Sequence, residues 1–191
     1  MLNRRALPVR RVLGVAIAAV CCAPVLSVPQ AQAVQARAVQ ARAAAVGARP
    51  EKGARLGQIR IKRMHLKAAV RQGVGQEVLR RGAGHYPGTG VPGRDGNTVL
   101  LGHRTTWLHP FNKLDRMRRG DRIVLRWGRT TYVYRVRTKR VIDPRDRRVL
   151  EPVPFKRRSA PHGQYVTLIT CTPKGSDRHR LVVVGKLQSR R

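Results

Sequence analysis

Short apolar runs separated by glycine- and proline-containing turns fill the chain from about residue 57 to its end. These runs are too short for typical helices, and several of them alternate apolar and polar side chains, so they predict β-strands. The predicted strands are residues 58–61, 66–70, 98–101, 123–127, 130–136, 166–170 and 181–184. Many short strands joined by such turns are typical of an all-β domain, folded as a closed barrel or as a sandwich.

Few segments of this domain predict anything other than strand and turn. Gly128-Arg129 separates two strand patterns by two residues, which predicts a hairpin. Short helices are expected at 76–81 and at 111–117, the second of them directly after Pro110. Because aromatic residues make up 4% of the chain, aliphatic side chains on the strands must fill most of the core.

The first 33 residues follow a different pattern, which is typical of an export signal. Four arginines lie within residues 1–11, an uncharged apolar run follows at 12–28, and Ala31-Gln32-Ala33 has the small residues of a cleavage site. The run is short for a membrane-spanning helix, which needs about 17–25 residues. Cleavage and retention as an N-terminal membrane anchor therefore both stay open.

Residues 34–56 predict a flexible linker between this segment and the folded domain. The sequence AVQAR occurs twice, at 33–37 and 38–42, and the segment contains few large apolar side chains. Such a composition cannot anchor a core, and it would hold a domain at a distance from a membrane. The domain itself is expected to comprise residues 57–191.

Basic residues outnumber acidic residues by a wide margin. The chain carries 41 Lys and Arg, 33 of them Arg, against 9 Asp and Glu, for a formal charge of +32. Residues 57–191 alone contain 32 basic and 8 acidic groups, so the charge belongs to the domain as well as to the N-terminal segment. Such a surface favours anionic lipid headgroups, acidic wall polymers or nucleic acid, and salt should weaken the attraction. The alternative is an arginine-rich composition that serves no partner.

Cys171 is the one cysteine outside the N-terminal segment, which holds Cys21 and Cys22. The domain therefore cannot form an internal disulfide, and Cys171 has no cysteine neighbour with which to bind zinc. The apolar pattern of 166–170 ends at Cys171, and Pro173 limits the strand beyond it. A thiol at an open strand end can act as a nucleophile if a base or a cation lies nearby, whereas a thiol in the core would only pack.

His103 is the candidate base, because it follows the predicted strand 98–101 and Gly102 and so also lies at a strand end. An imidazole exchanges protons near neutral pH. The remaining histidines lack this placement or lie beside a better candidate, and we interpret them as structural. They are His65, His85, His109, His162 and His179.

Arg180 is the candidate cation, since it opens the strand 181–184 and a tight loop would bring it back beside Cys171. Its guanidinium offers several donors to a carbonyl oxygen that becomes negative during attack by a thiol. Arg178 lies two residues earlier and would point to the same face, so it is the alternative.

Together these segments resemble the sortase family. Residues 167–171 (TLITC) match the family's nucleophile motif TLxTC, residues 102–106 (GHRTT) resemble its histidine segment, and residues 179–183 (HRLVV) its arginine segment. The last similarity favours Arg180 over Arg178. Further similar segments bring the resemblance to about residues 57–188. The class E sortases of actinobacteria are most similar, through residues 111–115 (FNKLD) and 152–154 (PVP). Residues 172–173 and 179–181, in contrast, are more similar to class C pilin polymerases.

The resemblance implies an eight-stranded closed β-barrel with short helices and the activity of a cysteine transpeptidase. It implies that Cys171, His103 and Arg180 are catalytic, and that Thr170, Thr172 and Leu168 shape the substrate groove. No calcium site of the class A kind is recognisable, and no cofactor is expected. The implied substrates are exported proteins with C-terminal LPXTG- or LAXTG-like sorting signals, and the implied acceptor is an amine of a peptidoglycan precursor. The enzyme would then lie on the outer face of the cell membrane or in the cell wall.

Two other functions are compatible with the residues alone. One is a non-enzymatic basic module that binds an anionic wall polymer or nucleic acid and in which Cys171 is inert. Binding to a specific nucleic-acid sequence is not expected. The other is a hydrolytic cysteine protease, which would share the Cys/His pair but transfer the acyl group to water. Labelling of the native thiol separates the first from an enzyme, and an amine acceptor separates the second.

Overall fold

Eight strands form the framework of residues 50–191, which are the part of the chain that the computed structural model describes. The strands are β1 (Arg55–Ile61), β2 (Leu66–Gln72), β3 (Ala83–His85), β4 (Gly96–Leu101), β5 (Arg122–Trp127), β6 (Thr130–Ile142), β7 (Gln164–Thr172) and β8 (His179–Arg190). One short helix, α1 (Gln76–Leu79), and three 3₁₀ turns (Lys62–Met64, Leu114–Arg116 and Arg147–Leu150) complete the elements. The predicted export signal and most of the predicted linker lie outside these residues.

The strands close into a barrel in the order β1-β2-β3-β4-β7-β8-β6-β5, with β5 paired to β1. Neighbouring strands are antiparallel except for the parallel pairs β2–β3 and β4–β7. Closure leaves no unpaired sheet edge. The predicted eight-stranded closed barrel with short helices is therefore confirmed.

Two hydrophobic clusters lie on opposite sides of the barrel wall. The larger cluster fills the interior and contains inward side chains such as Ile59, Leu100, Leu125 and Leu168. The smaller cluster lies outside the wall, where Val99 and Ile169 pack beneath residues of the β6–β7 connection. Alternate residues of one strand can serve both clusters because successive side chains point to opposite faces. As a result, the outer face of β4, β7 and β8 is covered around Val99, Ile169 and Val182.

Several boundaries differ from those that the sequence predicts. β1 begins at Arg55, inside the segment predicted as linker, and Gly53 already donates a backbone hydrogen bond to Gln72 at 2.8 Å. The predicted helix at 111–117 is limited to the 3₁₀ turn Leu114–Arg116, whereas the one predicted at 76–81 is present as α1. Within residues 50–191, no helix is both long and apolar enough to cross a membrane.

Candidate active site

The parallel pairing of β4 with β7 brings His103 level with Cys171. In this pair Leu101 lies opposite Ile169, and the Gly102 amide donates to the Ile169 carbonyl at 3.1 Å. His103 is two residues beyond Leu101, and Cys171 is two residues beyond Ile169. Because paired strands run about 4.8 Å apart, the two side chains leave adjacent chain segments at the same height.

The antiparallel pairing of β7 with β8 adds Arg180 to the same row. Cys171 and Arg180 are direct partners in this register, and side chains directly opposite one another in an antiparallel pair share a face. Cys171 is a half-buried free thiol. The structure thus brings together the three residues that the sequence singles out, as a row across three neighbouring strand ends.

Side-chain alternation places this row on the outer face of the barrel. Ile169 packs in the outer cluster, and Cys171, two residues on, leaves the same side of β7. Leu168 and Thr170 point the other way, and both are buried, with exposed fractions of 0% and 3%. These two predicted substrate-binding residues therefore line the interior and do not face the groove. Thr172, the last residue of β7, is half-buried and follows the alternation of Thr170.

Thr170 instead holds the ends of β4 and β7 together. Its hydroxyl donates a 2.7 Å hydrogen bond to the carbonyl of Gly102, the residue before His103. Gly102 has no room for a side chain, since a Cβ there would lie 2.8 Å from the Phe111 ring and 2.9 Å from Pro110. This packing fixes where the chain turns out of β4, and so fixes the position from which His103 projects.

The His103 imidazole lies against a tilted aromatic ring, and one of its two nitrogens has no polar partner within residues 50–191. Its ring centroid lies 4.5 Å from that of Trp107, and the Arg80 guanidinium lies 4.7 Å from the Trp107 ring. The buried Nε2 atom has no hydrogen-bond partner within residues 50–191. Burial, and next the positive charge of Arg80, lower the pKa of His103 below its usual value. A lowered pKa makes the imidazolium a stronger acid once it forms.

His85 shows how a structural histidine differs. It is 4% exposed, and its ring nitrogens lie 2.9 Å from Gln72 Oε1 and 3.0 Å from the Gly90 carbonyl. Burial also lowers the pKa of His85. With both nitrogens engaged, His85 has no atom available to a substrate, in contrast to His103.

Substitution of Arg80 by glutamine should raise the pKa of His103. The change removes the cationic contribution and leaves burial, so the pKa should stay below the usual histidine value of about 6.5. Because the folded pKa is below the unfolded one, protonation of His103 destabilises the fold as the pH falls below about 6.5, and the variant should show less of this loss. Titration of the imidazole resonances by NMR measures the pKa.

Arg81→Gln is the matched control for this titration, because Arg81 neighbours Arg80 but directs its Nε to the Glu77 carbonyl. It should leave the His103 midpoint unchanged. An equal shift in both variants would mean that only the general positive potential acts on His103, and that the stack with Trp107 and Arg80 has no special role.

Arg104 is a further residue of the site that the sequence does not reveal. Although it is an arginine, it is only 6% exposed. Its guanidinium donates to the Cys171 carbonyl at 3.2 Å and to the Asn112 carbonyl at 3.2 Å, and it pairs with Asp115 at 3.1 Å. Asn112 returns a 2.9 Å hydrogen bond to the Arg104 carbonyl. Arg104 therefore ties the backbone at Cys171 to the segment that follows His103.

The loop between β7 and β8 holds the Arg180 guanidinium at the edge of the row. Its Nη1 donates to the Asp177 carbonyl at 2.6 Å and to the His179 carbonyl at 3.1 Å. Arg180 is half-buried, whereas Arg178 is exposed and precedes the first residue of β8. Arg180 is thus the arginine that shares the face of Cys171. Among residues 50–191, no group of three or more His, Cys, Asp or Glu side chains is placed to hold a metal ion.

Comparison with known proteins agrees with this geometry. The model of the Sortase domain matches residues 59–188. The chain belongs to the sortase family. Sortase SrtE1 of Streptomyces coelicolor is 32% identical over 149 residues, which are 74% of this chain and 42% of that protein. Sortase SrtE2 of the same organism is 34% identical over 127 residues, which are 62% of this chain and 49% of that protein.

Solved sortase structures share the barrel. Sortase E from Streptomyces avermitilis is 35% identical, with a TM-score of 0.67 over 74% of this chain and 93% of that one. A crystal structure of sortase E1 from S. coelicolor with a tripeptide in the active site is 29% identical, with a TM-score of 0.68 over 73% of this chain and 91% of that one. The predicted similarity to class E sortases is confirmed. The chain spans less than half the length of the two curated Streptomyces relatives.

Proposed function

We propose that this chain is a sortase-type cysteine transpeptidase. It cleaves an LPXTG- or LAXTG-like sorting signal between Thr and Gly, holds the acyl part as a thioester on Cys171, and transfers it to a cell-wall amine. The observation that carries the proposal is the row of His103, Cys171 and Arg180 at neighbouring strand ends, in a chain of the sortase family.

In the first half-reaction, the Cys171 thiol proton passes to His103 and the sulfur bonds to the threonine carbonyl carbon. Arg180, on the same face as the thiol, donates hydrogen bonds to the carbonyl oxygen as it becomes negative. The carbon–nitrogen bond to glycine then breaks, and the His103 imidazolium gives its proton to the leaving amine. The lowered pKa of His103 favours this last transfer.

In the second half-reaction, an acceptor amine attacks the thioester and Cys171 departs. His103 takes the proton that the amine loses, the new amide bond forms, and the proton returns to the thiol. Water competes with the amine at this step, so the outcome depends on whether the groove admits amines in preference to water. We propose a peptidoglycan precursor amine as the natural acceptor and exported proteins with C-terminal sorting signals as substrates.

The proposed location is the outer face of the cell membrane, with residues 1–33 as the export signal or anchor and residues 34–56 as its connection to the barrel. This assignment comes from the sequence pattern of a segment that lies outside the described residues. A class C-like reaction would differ in its acceptor, an amine of another pilin subunit, and not in the chemistry at Cys171.

A single-turnover assay with a panel of short peptides tests the proposal. LPXTG and LAXTG peptides, with a scrambled peptide as control, are mixed with excess enzyme, and mass spectrometry follows the Cys171 adduct. We expect an adduct equal in mass to the acyl part, with release of the glycine-containing fragment. Added amine should convert the adduct to an amide faster than water hydrolyses it.

Two results would contradict the proposal. An adduct that yields only acid at saturating amine would identify a cysteine protease. Failure to form any adduct, together with a Cys171 thiol that reacts with a methanethiosulfonate only after unfolding, would identify a module without enzyme activity.

A further inference from the structure

Charged side chains are distributed unevenly around the barrel wall. The strands β3, β4 and β7 contain no Lys, Arg, Asp or Glu, whereas β1, β2, β5 and β6 contain ten basic residues and no acidic one. The basic residues are Arg55, Arg60, Lys67, Arg71, Arg122, Arg126, Arg135, Arg137, Lys139 and Arg140. The outer face of β4 and β7 lies beneath the β6–β7 connection, so uncharged residues there have a packing reason.

Two of the basic strands, β1 and β5, lie across the barrel from β7 and β4, the strands beside which Cys171 and His103 lie. In the closed order of eight strands, β1 is four positions from β7, and β5 is four positions from β4. Four positions in a ring of eight is the largest separation that the order allows. A ligand on the outer face of β1 and β5 would therefore leave Cys171 and His103 on the opposite side.

We call this surface the arginine face, and it consists of the outer side of β1 and β5 with their flanking turns. It carries Arg60, Lys62, Arg63, Arg122, Arg126 and Arg129, all of them exposed. A cleft of about 830 Å³ lies among Arg60, Lys62, Arg63 and Arg122, and a second cleft of about 360 Å³ is lined by Arg60, Arg126 and Arg129. Asp121 is the one acidic residue that lines the larger cleft, and it pairs with Arg63.

Apart from Arg63, which pairs with Asp121, the charges of the arginine face are not neutralised by ion pairs within residues 50–191. Arg60, Arg122 and Arg126 form no ion pair within residues 50–191. The strand register even sets like charges opposite one another, since Arg60 faces Lys67 and Arg122 faces Arg135. Like charges in direct cross-strand positions destabilise a sheet. An anionic surface laid against these strands would relieve that repulsion.

The composition of the face disfavours single-stranded nucleic acid as its partner. Binding of single-stranded nucleic acid relies on aromatic side chains on which bases stack. The exposed aromatic residue Trp107 lies beside His103, and the arginine face intersperses its arginines with Gln58, Val124 and Thr131. A broad set of guanidinium groups without aromatic residues fits lipid phosphates, which present charge without requiring a shaped pocket.

We propose that the arginine face binds the surface of an anionic phospholipid membrane and so turns the row of His103, Cys171 and Arg180 away from the bilayer. The proposal concerns orientation and lipid contact, and it does not require the transpeptidase reaction. Electrostatic contact of this kind adds to a weak or short anchor and fades as salt rises.

Vesicle binding by residues 50–191 tests the proposal without the N-terminal segment. These residues contain all eight strands and both hydrophobic clusters, and solved sortase E is matched over 93% of its chain, so a chain of this extent folds by itself. The face variant carries Arg60→Gln, Arg122→Gln and Arg126→Gln. The control variant carries Arg145→Gln, Arg157→Gln and Arg158→Gln, which removes the same charge from the β6–β7 connection.

We expect the wild-type barrel to bind vesicles that contain phosphatidylglycerol and not vesicles of phosphatidylcholine. The face variant should bind about a hundredfold more weakly, and the control variant within about threefold of wild type, because only groups within a Debye length of the surface contribute. Cys171 is the single thiol of this piece. Its rate of reaction with a charged methanethiosulfonate should be the same on vesicles as in solution.

Three outcomes would overturn the proposal. Equal losses in the two variants would show that charge is spread without a preferred face. Binding to an oligonucleotide but not to anionic vesicles would assign the face to another polyanion. Protection of Cys171 on vesicles would show that the barrel lies with its active site against the bilayer. Thermal unfolding of each variant checks that the barrel is intact.

Discussion

Replacement of Cys171 by alanine should lower the rate of peptide transfer by at least about a thousandfold and leave the barrel folded. The loss is large because the proposed reaction passes through a bond to the sulfur, and no other thiol lies within residues 50–191. Folding should persist because Cys171 is half-buried and belongs to neither hydrophobic cluster. Single-turnover release of the glycine fragment measures the effect on the rate. The midpoint of urea unfolding measures the effect on the stability of the barrel.

A serine variant tests whether the loss of activity comes from the missing sulfur nucleophile or from the missing side-chain volume. Cys171→Ser keeps a small side chain of the same shape that ends in a proton-bearing atom, but a hydroxyl is a much weaker nucleophile than a thiol under the same base. It should therefore resemble the alanine variant in activity and the wild type in stability. An alanine variant that still transfers peptide at a tenth of the wild-type rate would remove Cys171 from the mechanism.

Much of the barrel can be predicted from the sequence because its strands are locally distinct. The hairpin around Gly128-Arg129 is present as the turn between β5 and β6, since two residues leave no other connection for paired strands. β3 has no such signal, because its three residues, Ala83 to His85, include no apolar run. Its strand character comes from pairing with β2 and β4, and pairing with distant strands is a tertiary property.

The sequence predicts that Cys171, His103 and Arg180 each lie at a strand end. It does not predict that the three strand ends lie side by side. The parallel register of β4 with β7 joins residues about 70 positions apart, and nothing local encodes it. The positions of Leu168 and Thr170 could have been predicted, because a strand that turns Cys171 outward must turn residues 168 and 170 inward. Nothing in the sequence predicts that Arg104 is buried, since an arginine in an arginine-rich chain is expected on the surface.

The location of the positive charge on the barrel also depends on the tertiary structure. Composition predicts an attraction to anionic surfaces, but it cannot tell which face of the domain carries the attraction. That information comes from strand order, which separates the uncharged strands β4 and β7 from the basic strands β1 and β5. The same order makes catalysis and lipid binding separable by substitution.

Replacement of Arg180 by alanine should lower kcat/KM by about a hundred- to a thousandfold, which is the typical cost of losing one oxyanion donor. Arg180 is the direct cross-strand partner of Cys171, so its guanidinium can reach a carbonyl under attack by the thiol. If it stabilises the developing charge, most of the loss should fall on kcat, whereas a role in holding the peptide alone would raise KM. Steady-state transfer kinetics separate the two.

Arg178→Ala is the matched control, because Arg178 is exposed and lies in the loop before β8, two residues from Arg180. It should retain kcat/KM within about twofold. Arg180→Lys should recover only part of the activity, because an ammonium keeps the charge but loses the planar fork of donors, which bonds the Asp177 carbonyl and in the proposed reaction also a substrate oxygen. Equal losses in the Arg178 and Arg180 alanine variants would assign the effect to the positive potential of the loop and would leave the oxyanion without a specific donor.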